Sequence, residues 1–199
     1  MVKAVVYLEG GGDSKDLKVR CREGFRKLFE SSSFKQRMPR LVACGGRNNA
    51  FDDFKTAFHG NKDRYVAMLI DSESPVKDAE SPWAHLYEHD GWTRPEDAED
   101  GQVFFMTTCM ETWLVADRDT LKDHYGSNLK ISALPPLVNV EQRDRHDIQK
   151  GLVQATRSCS NSYAKGRRSF ELLGKISPAR IREFLPSFRR MERILKETL

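Results

Sequence analysis

The sequence predicts an α/β fold: a parallel-rich four-stranded sheet flanked by helices, with an α-helical C-terminal extension. Short apolar runs alternate with amphipathic helical patterns through the first 125 residues. This alternation is typical of a parallel sheet covered on both faces. From Glu141 onward the pattern is helical only. We therefore predict an α/β domain at residues 1–125 and a helical extension, packed on that domain, at residues 126–199.

Four apolar runs are predicted as strands. Each run is short and ends in glycines or polar residues, as buried strands commonly do. They lie at residues 3–9, 39–44, 65–70 and 102–107.

Helices are predicted between these strands and throughout the C-terminal part. Asp13 or Ser14 caps the first one. Further helices are predicted at residues 50–58, in a short stretch near residues 83–87, and from residue 111. Near the C-terminus, Ser177 is a predicted N-cap, and Pro178 and Pro186 are predicted to stand at the first position of a helix.

Composition limits the class of protein. The chain has 199 residues, of which 39% are hydrophobic, and a net charge of +4. No apolar run approaches the ~18 residues that a membrane span needs. Cys21, Cys44, Cys109 and Cys159 are far apart in the sequence, which excludes a CxxC motif. We expect a cytoplasmic protein with reduced, mostly buried cysteines, and with histidines that are surface or capping residues.

The charge is distributed unevenly. Acidic residues dominate residues 71–100, and basic residues dominate residues 157–199. Such asymmetry suits a polyanion bound by one part of the chain while acidic groups elsewhere hold cations. For any single charge, a solvated helix face is the more ordinary explanation.

Carboxylates follow three of the predicted strands. Glu9 ends the first strand, Asp71 and Glu73 follow the third, and Glu111 comes just after the fourth. Because ligands of parallel sheets sit beyond the carboxyl ends of the strands, we expect these side chains at one rim. Crowded carboxylates repel unless a cation lies among them, and oxygen ligands suit Mg²⁺ or Mn²⁺. Any one of these acids alone could instead be a turn or cap residue.

The strand ends resemble the two signatures of the Toprim domain, a strand ending in Glu-Gly and a later strand ending in Asp-x-Asp/Glu. They are present as Leu8-Glu9-Gly10 and Ile70-Asp71-Ser72-Glu73. Further stretches resemble small Toprim-like proteins of the RloB and AbiL second-component type, which are related to OLD-family nucleases and often encoded beside an ATPase in bacterial defence loci. The stretches lie at residues 43–49, 110–117, 163–166, 176–178 and 185–190.

The resemblance implies a set of site residues. Glu9, Asp13, Asp71, Glu73 and Glu111 would hold Mg²⁺ or Mn²⁺, and Glu9, Asp71 and Lys165 would act in catalysis. Two positions depart from the OLD-type pattern: Asp13 stands where Glu is usual, and Glu73 stands where the second Asp of Asp-x-Asp is usual. Because of these two departures, a degenerate site that has lost its metals stays an alternative.

The implied activity is Mg²⁺-dependent endonucleolytic cleavage of DNA or RNA in an antiviral defence system, with an ATPase partner protein. The resemblance is also compatible with a homo-oligomer. Basic side chains are expected to contact the phosphates of the nucleic acid, because contacts between cations and phosphates supply most of the affinity of non-specific binding. The candidates are Arg47, Arg167, Arg168, Arg189 and Arg190. Two alternatives stay open: an RNA-processing Toprim nuclease, and a non-catalytic partner subunit with a degenerate metal site.

Overall fold

The computed structural model describes residues 4–60 and 63–199 and confirms the α/β fold. Four strands form one sheet in the order β2-β1-β3-β4, and every neighbouring pair is parallel. The strands are β1 (Ala4–Glu9), β2 (Arg40–Gly45), β3 (Tyr65–Asp71) and β4 (Val103–Met106). All four overlap the predicted runs. Lys3, predicted at the start of the first strand, lies outside the described residues.

Helices connect the strands and make up most of the C-terminal part. The helices within the described residues are α1 (Lys15–Ser31), α2 (Arg47–Gly60), α3 (Pro82–Asp90), α4 (Met110–Ala116), α5 (Arg118–Tyr125), α6 (Arg145–Thr156), α7 (Arg167–Leu173), α8 (Pro178–Phe184) and α9 (Pro186–Thr198). Between α5 and α6 the chain makes short 3-10 turns. The predicted helices and the Pro-initiated starts of α8 and α9 are therefore confirmed.

Ser14 caps α1. Its hydroxyl oxygen accepts a hydrogen bond of 3.3 Å from the Leu17 amide, which satisfies one of the free N–H groups of the first turn. The sequence pattern allows either Asp13 or Ser14 as the cap, and the structure selects Ser14. Asp13 is exposed in the turn before it.

Two apolar layers enclose the sheet. Side chains that alternate along β3 go to opposite faces, so Leu69 joins the layer under α1 while Met68 and Ile70 join the layer under α2 and α3. The first layer is the larger and includes the edge-to-face pair Phe25 and Trp113. Covering both faces explains why the strands are continuous apolar runs rather than alternating ones.

The C-terminal helices complete the first layer. Helix α7 lies against α1, where a Cβ on Gly24 would come within 2.6 Å of the Phe170 carbonyl oxygen. Helix α9 packs on β4, and Phe188 contacts Trp113 with ring centroids 5.1 Å apart. The division of the chain at residue 125 stays a prediction.

Two expectations from composition are also met. The four cysteines are free and buried. None of the helices in residues 4–60 and 63–199 combines the length and the apolar character needed to cross a bilayer.

Candidate metal centre

Three carboxylates meet at the carboxyl edge of the sheet. Glu9, Asp71 and Glu73 each present one oxygen, and these oxygens lie within 4.8 Å of one another. Glu9 ends β1 and Asp71 ends β3, which is the neighbouring parallel strand. The sequence predicted this meeting, because the strands of a parallel sheet all end at the same rim.

Glycines shape the turn that follows Glu9. Gly10 and Gly45 exchange backbone hydrogen bonds of 2.8 and 3.1 Å, which join the ends of β1 and β2. A Cβ on Gly45, where φ is +97°, would lie 2.4 Å from the Gly12 carbonyl oxygen. Close backbone approach, rather than a phosphate-loop motif, therefore accounts for glycine at this position.

The loop after β3 turns Glu73 back toward the other two acids. Glu73 has a φ of +66°, a left-handed conformation uncommon for a residue other than glycine. Its amide donates a 2.9 Å hydrogen bond to the Thr108 carbonyl, and the Ser72 amide donates to the Met106 carbonyl at 3.3 Å. The segment after β4 thus fixes the position of the third carboxylate.

Asp71 is the carboxylate with the least compensation. Its Oδ1 atom is buried and has no hydrogen-bond partner. Burial raises the pKa of Asp71 well above its ordinary value, and the nearby Glu9 and Glu111 raise it further. Burial also raises the pKa of Glu9, against the opposing charge of Arg47 and a 3.0 Å hydrogen bond from the Asp71 amide. A cation among these groups would remove the repulsion.

Each of the other carboxylates has a basic partner. Arg47 lies 3.8 Å from Glu9, Arg145 forms an ion pair with Glu73, and Lys165 lies 3.7 Å from Glu111. Within the described residues, Asp71 alone of these four acids has no ion pair. The basic side chains therefore compensate the charges around Asp71, and the Asp71 carboxylate itself stays without an ion pair.

Glu111 stands apart from the three grouped acids. It is 2% exposed, and its Oε1 accepts a 2.6 Å hydrogen bond from the Tyr163 hydroxyl while Gln149 donates to its Oε2 at 3.4 Å. Both carboxylate oxygens thus accept hydrogen bonds, and Oε1 also lies 3.7 Å from the Lys165 ammonium nitrogen. The structure thus places Glu111 as an anchor for that ammonium group, beside the cluster.

A cavity of about 230 Å³ opens over these groups. Glu9, Asp71, Glu111 and Lys165 line it, together with the glycine turn after β1. The Lys165 side chain is 59% exposed, so its ammonium group is accessible to a ligand entering from solvent. An acidic floor with one accessible cation at the side suits a metal ion that carries a bound anion.

Arg47 is occupied by protein groups. Its Nε and Nη2 donate to the two carboxylate oxygens of Asp90 at 3.0 and 2.6 Å, and its Nη1 donates to the Asp71 carbonyl. Its guanidinium lies 5.0 Å from the centroid of the Trp92 ring. Arg47, predicted as a phosphate contact, is thus held in place to support Glu9 and the end of β3.

The other predicted residues fall into two groups. Asp13 is exposed and lies outside the grouped carboxylates. Arg167, Arg168 and Arg189 are exposed, as a phosphate contact requires. Arg190 is 7% exposed and donates to the carbonyls of Val103 and Asp100 at 2.8 and 2.7 Å. From this position Arg190 is unsuited to reach a phosphate backbone.

Sequence reasoning missed several residues around the site. Arg145, Gln149 and Asp90 carry no local signal, because their partners are distant in the chain. Tyr163 is marked in the sequence only as part of a resembling stretch. His85 and His89 lie four residues apart on α3, and that spacing is visible in the sequence.

The donor set fits a hard divalent cation. The three grouped side chains offer only carboxylate oxygens, the ligands that Mg²⁺ and Mn²⁺ prefer. The orphaned Oδ1 of Asp71 lacks the partner that buried polar atoms normally have. We conclude that this acidic cluster could bind a metal ion.

The fold and the cluster together define an α/β protein with a candidate metal centre at the carboxyl edge of a parallel sheet. The chain belongs to a family described as "Domain of unknown function (DUF4276)", whose model matches residues 8–196. Neither a curated protein nor a solved structure matches the chain.

Proposed function

We propose that this protein is a Toprim-type nuclease that cleaves nucleic-acid phosphodiester bonds with Mg²⁺ or Mn²⁺, as the effector of an ATPase-associated antiviral system. The observation that carries the proposal is the orphaned Oδ1 of Asp71, which lies among Glu9 and Glu73 at a cavity that Lys165 lines from the side. The defence setting rests on the sequence resemblance.

Glu9, Asp71 and Glu73 would hold the metal. When bound, a divalent ion supplies charge stabilisation for the phosphoryl oxygens and acidifies a water molecule. Lys165 can donate to a non-bridging phosphate oxygen, because its ammonium group is accessible and Glu111 restrains it. A preorganised cation of this kind stabilises the charge that develops during hydrolysis.

Glu9 is the best candidate to move a proton. Burial raises its pKa above the ordinary value, which favours proton transfer by this carboxyl group. The Asp71 amide and Arg47 fix its orientation. Glu9 would thus act as a metal ligand or as the general base.

A cleavage assay tests this function. The protein, with its ATPase partner present, is incubated with duplex DNA, single-stranded DNA and structured RNA in Mg²⁺ or Mn²⁺. Glu9→Gln keeps the side-chain shape and removes the charge, so cleavage should fall by roughly 10² or more. Nucleic-acid affinity should hold or rise slightly. Glu23→Gln, an exposed change on α1, is the matched control. A Glu9→Gln variant that cleaves as fast as the parent would overturn the mechanism.

Metal binding can be tested without activity. Mn²⁺ should raise the melting temperature of the parent, because a ligand of the folded state stabilises it by mass action. Asp71→Asn should abolish that rise and leave the metal-free protein at least as stable as the parent. Asp13→Asn is the control, and it should retain the rise since Asp13 lies outside the cluster. Loss of the rise in Asp13→Asn would restore Asp13 as a ligand.

One observation favours a second candidate, a non-catalytic partner subunit. Arg145 already neutralises Glu73, so the cluster is partly compensated without a cation. A subunit of this kind would show neither the Mn²⁺-induced rise nor cleavage of any substrate. The other alternative is an RNA-processing nuclease. In the cleavage assay, such an enzyme would cut the structured RNA and leave the two DNA substrates intact.

A further inference from the structure

Two histidines share one face of α3, outside the group of three carboxylates. His85 and His89 are one helical turn apart, and their rings stack with centroids 5.7 Å apart and an interplanar angle of 12°. They line a cavity of about 490 Å³ together with Asp78, Ser81 and Glu88. Neither ring takes part in the function proposed above.

Hydrogen-bond geometry leaves one ring nitrogen available on each histidine. The His85 Nε2 lies 2.9 Å from the Ser72 carbonyl oxygen, and a carbonyl only accepts, so this nitrogen carries the proton. The Nδ1 of His85 therefore presents its lone pair. The His89 Nδ1 lies 3.4 Å from the Asp90 carboxylate, and its Nε2 is not engaged in that contact. Metal-binding histidines commonly donate their second nitrogen to a carbonyl or carboxylate in this way.

A third ligand is within the same cavity. Glu88 lies beside His89 and pairs with Lys77 at 3.1 Å, but both side chains are largely exposed, at 64% and 86%. An exposed pair of this kind contributes little stability. Its carboxylate can therefore leave Lys77 and turn toward a cation held by the two imidazoles.

We propose that His85 and His89, with Glu88 and water, form a second cation site that takes a borderline transition metal such as Zn²⁺. Imidazole nitrogens favour Zn²⁺, Ni²⁺ and Cu²⁺ over Mg²⁺, whereas the cluster of Glu9, Asp71 and Glu73 offers oxygen only. The two sites therefore differ in chemistry. Both contact the loop after β3, since His85 donates to the carbonyl of Ser72, which lies between Asp71 and Glu73.

The test is a calorimetric titration of the full chain with Zn²⁺ in the presence of excess Mg²⁺. The parent should bind one equivalent. His89→Ala, a change at an exposed side chain, should weaken Zn²⁺ binding about tenfold or more, as expected for loss of a ligand. His146→Ala is the matched control at another exposed histidine and should bind like the parent.

A second variant separates this site from the acidic cluster. Asp71→Asn should keep the Zn²⁺ affinity of the parent, whether or not the nuclease proposal holds. In NMR spectra of the parent, Zn²⁺ should shift the ring signals of His85 and His89 and leave those of His59 and His146 in place. Unchanged affinity in His89→Ala, or loss of Zn²⁺ binding in Asp71→Asn, would overturn the proposal.

Discussion

The hydroxyl of Tyr163 donates a 2.6 Å hydrogen bond to the buried carboxylate of Glu111, a residue 52 positions earlier in the chain. This bond links the segment before α7 to the first turn of α4. It also orients the carboxylate that restrains Lys165 at the edge of the cavity.

Removing that hydroxyl should therefore lower the stability of the protein. Tyr163→Phe leaves the Glu111 carboxylate buried with one donor fewer, which should lower the free energy of unfolding by about 1–3 kcal/mol. Urea unfolding measures the change. Tyr87→Phe is the control, because Tyr87 is 67% exposed and should change stability by less than about 0.5 kcal/mol. Equal stability of the two variants would show that the Tyr163 bond is not a determinant of the fold.

Arg47 should behave as a structural residue rather than as a nucleic-acid contact. Lysine keeps the charge but cannot bond both oxygens of Asp90 or stack on Trp92 in the same way. Arg47→Lys should lower the unfolding free energy by roughly 2–4 kcal/mol, a little less than complete loss of a buried ion pair. Arg167→Lys, at an exposed position, should be neutral. If Arg47→Lys instead weakened nucleic-acid binding without loss of stability, the phosphate-contact prediction would hold.

Glu141 makes stability depend on pH. Burial raises its pKa from 4.5 to about 7, even though Ser187 donates to it and Arg189 lies nearby. The folded state therefore keeps this proton between pH 4.5 and 7, where the unfolded chain has lost it. Stability from this group falls as pH rises through that window, by roughly 3 kcal/mol in total.

Glu141→Gln should remove this dependence, because the amide oxygen can still accept from Ser187 and no charge develops. The variant should be more stable than the parent at about pH 8 and similar to it below about pH 4.5, as measured by denaturation at each pH. Glu197→Gln, at an exposed position of α9, should follow the parent curve. Parallel curves for Glu141→Gln and the parent would contradict the assignment.

The exposed arginines of α7 should govern the salt dependence of nucleic-acid binding. Each phosphate contact to duplex DNA contributes about −0.9 to the slope of log affinity against log salt. Arg168→Glu should flatten the slope by about one unit. Arg94→Glu, the same charge change in the acidic segment, is the control. Identical slopes for Arg168→Glu and the parent would place the binding surface elsewhere.

The fold and the centre of the site could be predicted from the sequence for a simple reason. Strand identity is encoded locally, and parallel strands bring their ends to one edge. The meeting of Glu9, Asp71 and Glu73 could therefore be predicted from their places at strand ends, whereas Asp13 and Glu111, predicted with them, lie outside the group. The glycine turn and the capping serine of α1 are equally local signals.

The surrounding residues could not be predicted in the same way. Arg145 and Tyr163 reach the site because α6 packs on α4 and α7 packs on α1 and α4, and no periodic pattern encodes those contacts. Charge in a sequence also does not report burial: Arg190 belongs to a basic segment, yet it lies on the buried side of α9, where it donates to the Val103 carbonyl of β4. The roles of such residues depend on tertiary packing alone.

The contact between Arg190 and β4 has a further consequence. β4 is an outer strand of the sheet, with four residues and one neighbouring strand, and unpaired strand edges are sites of self-association. The Arg190 guanidinium donates a hydrogen bond to the Val103 carbonyl, and α9 packs on the strand. A chain truncated before Pro186 would expose that edge together with the apolar surface beneath it. We expect such a fragment to aggregate more readily than the full chain, because the last helix covers an outer strand as well as apolar surface.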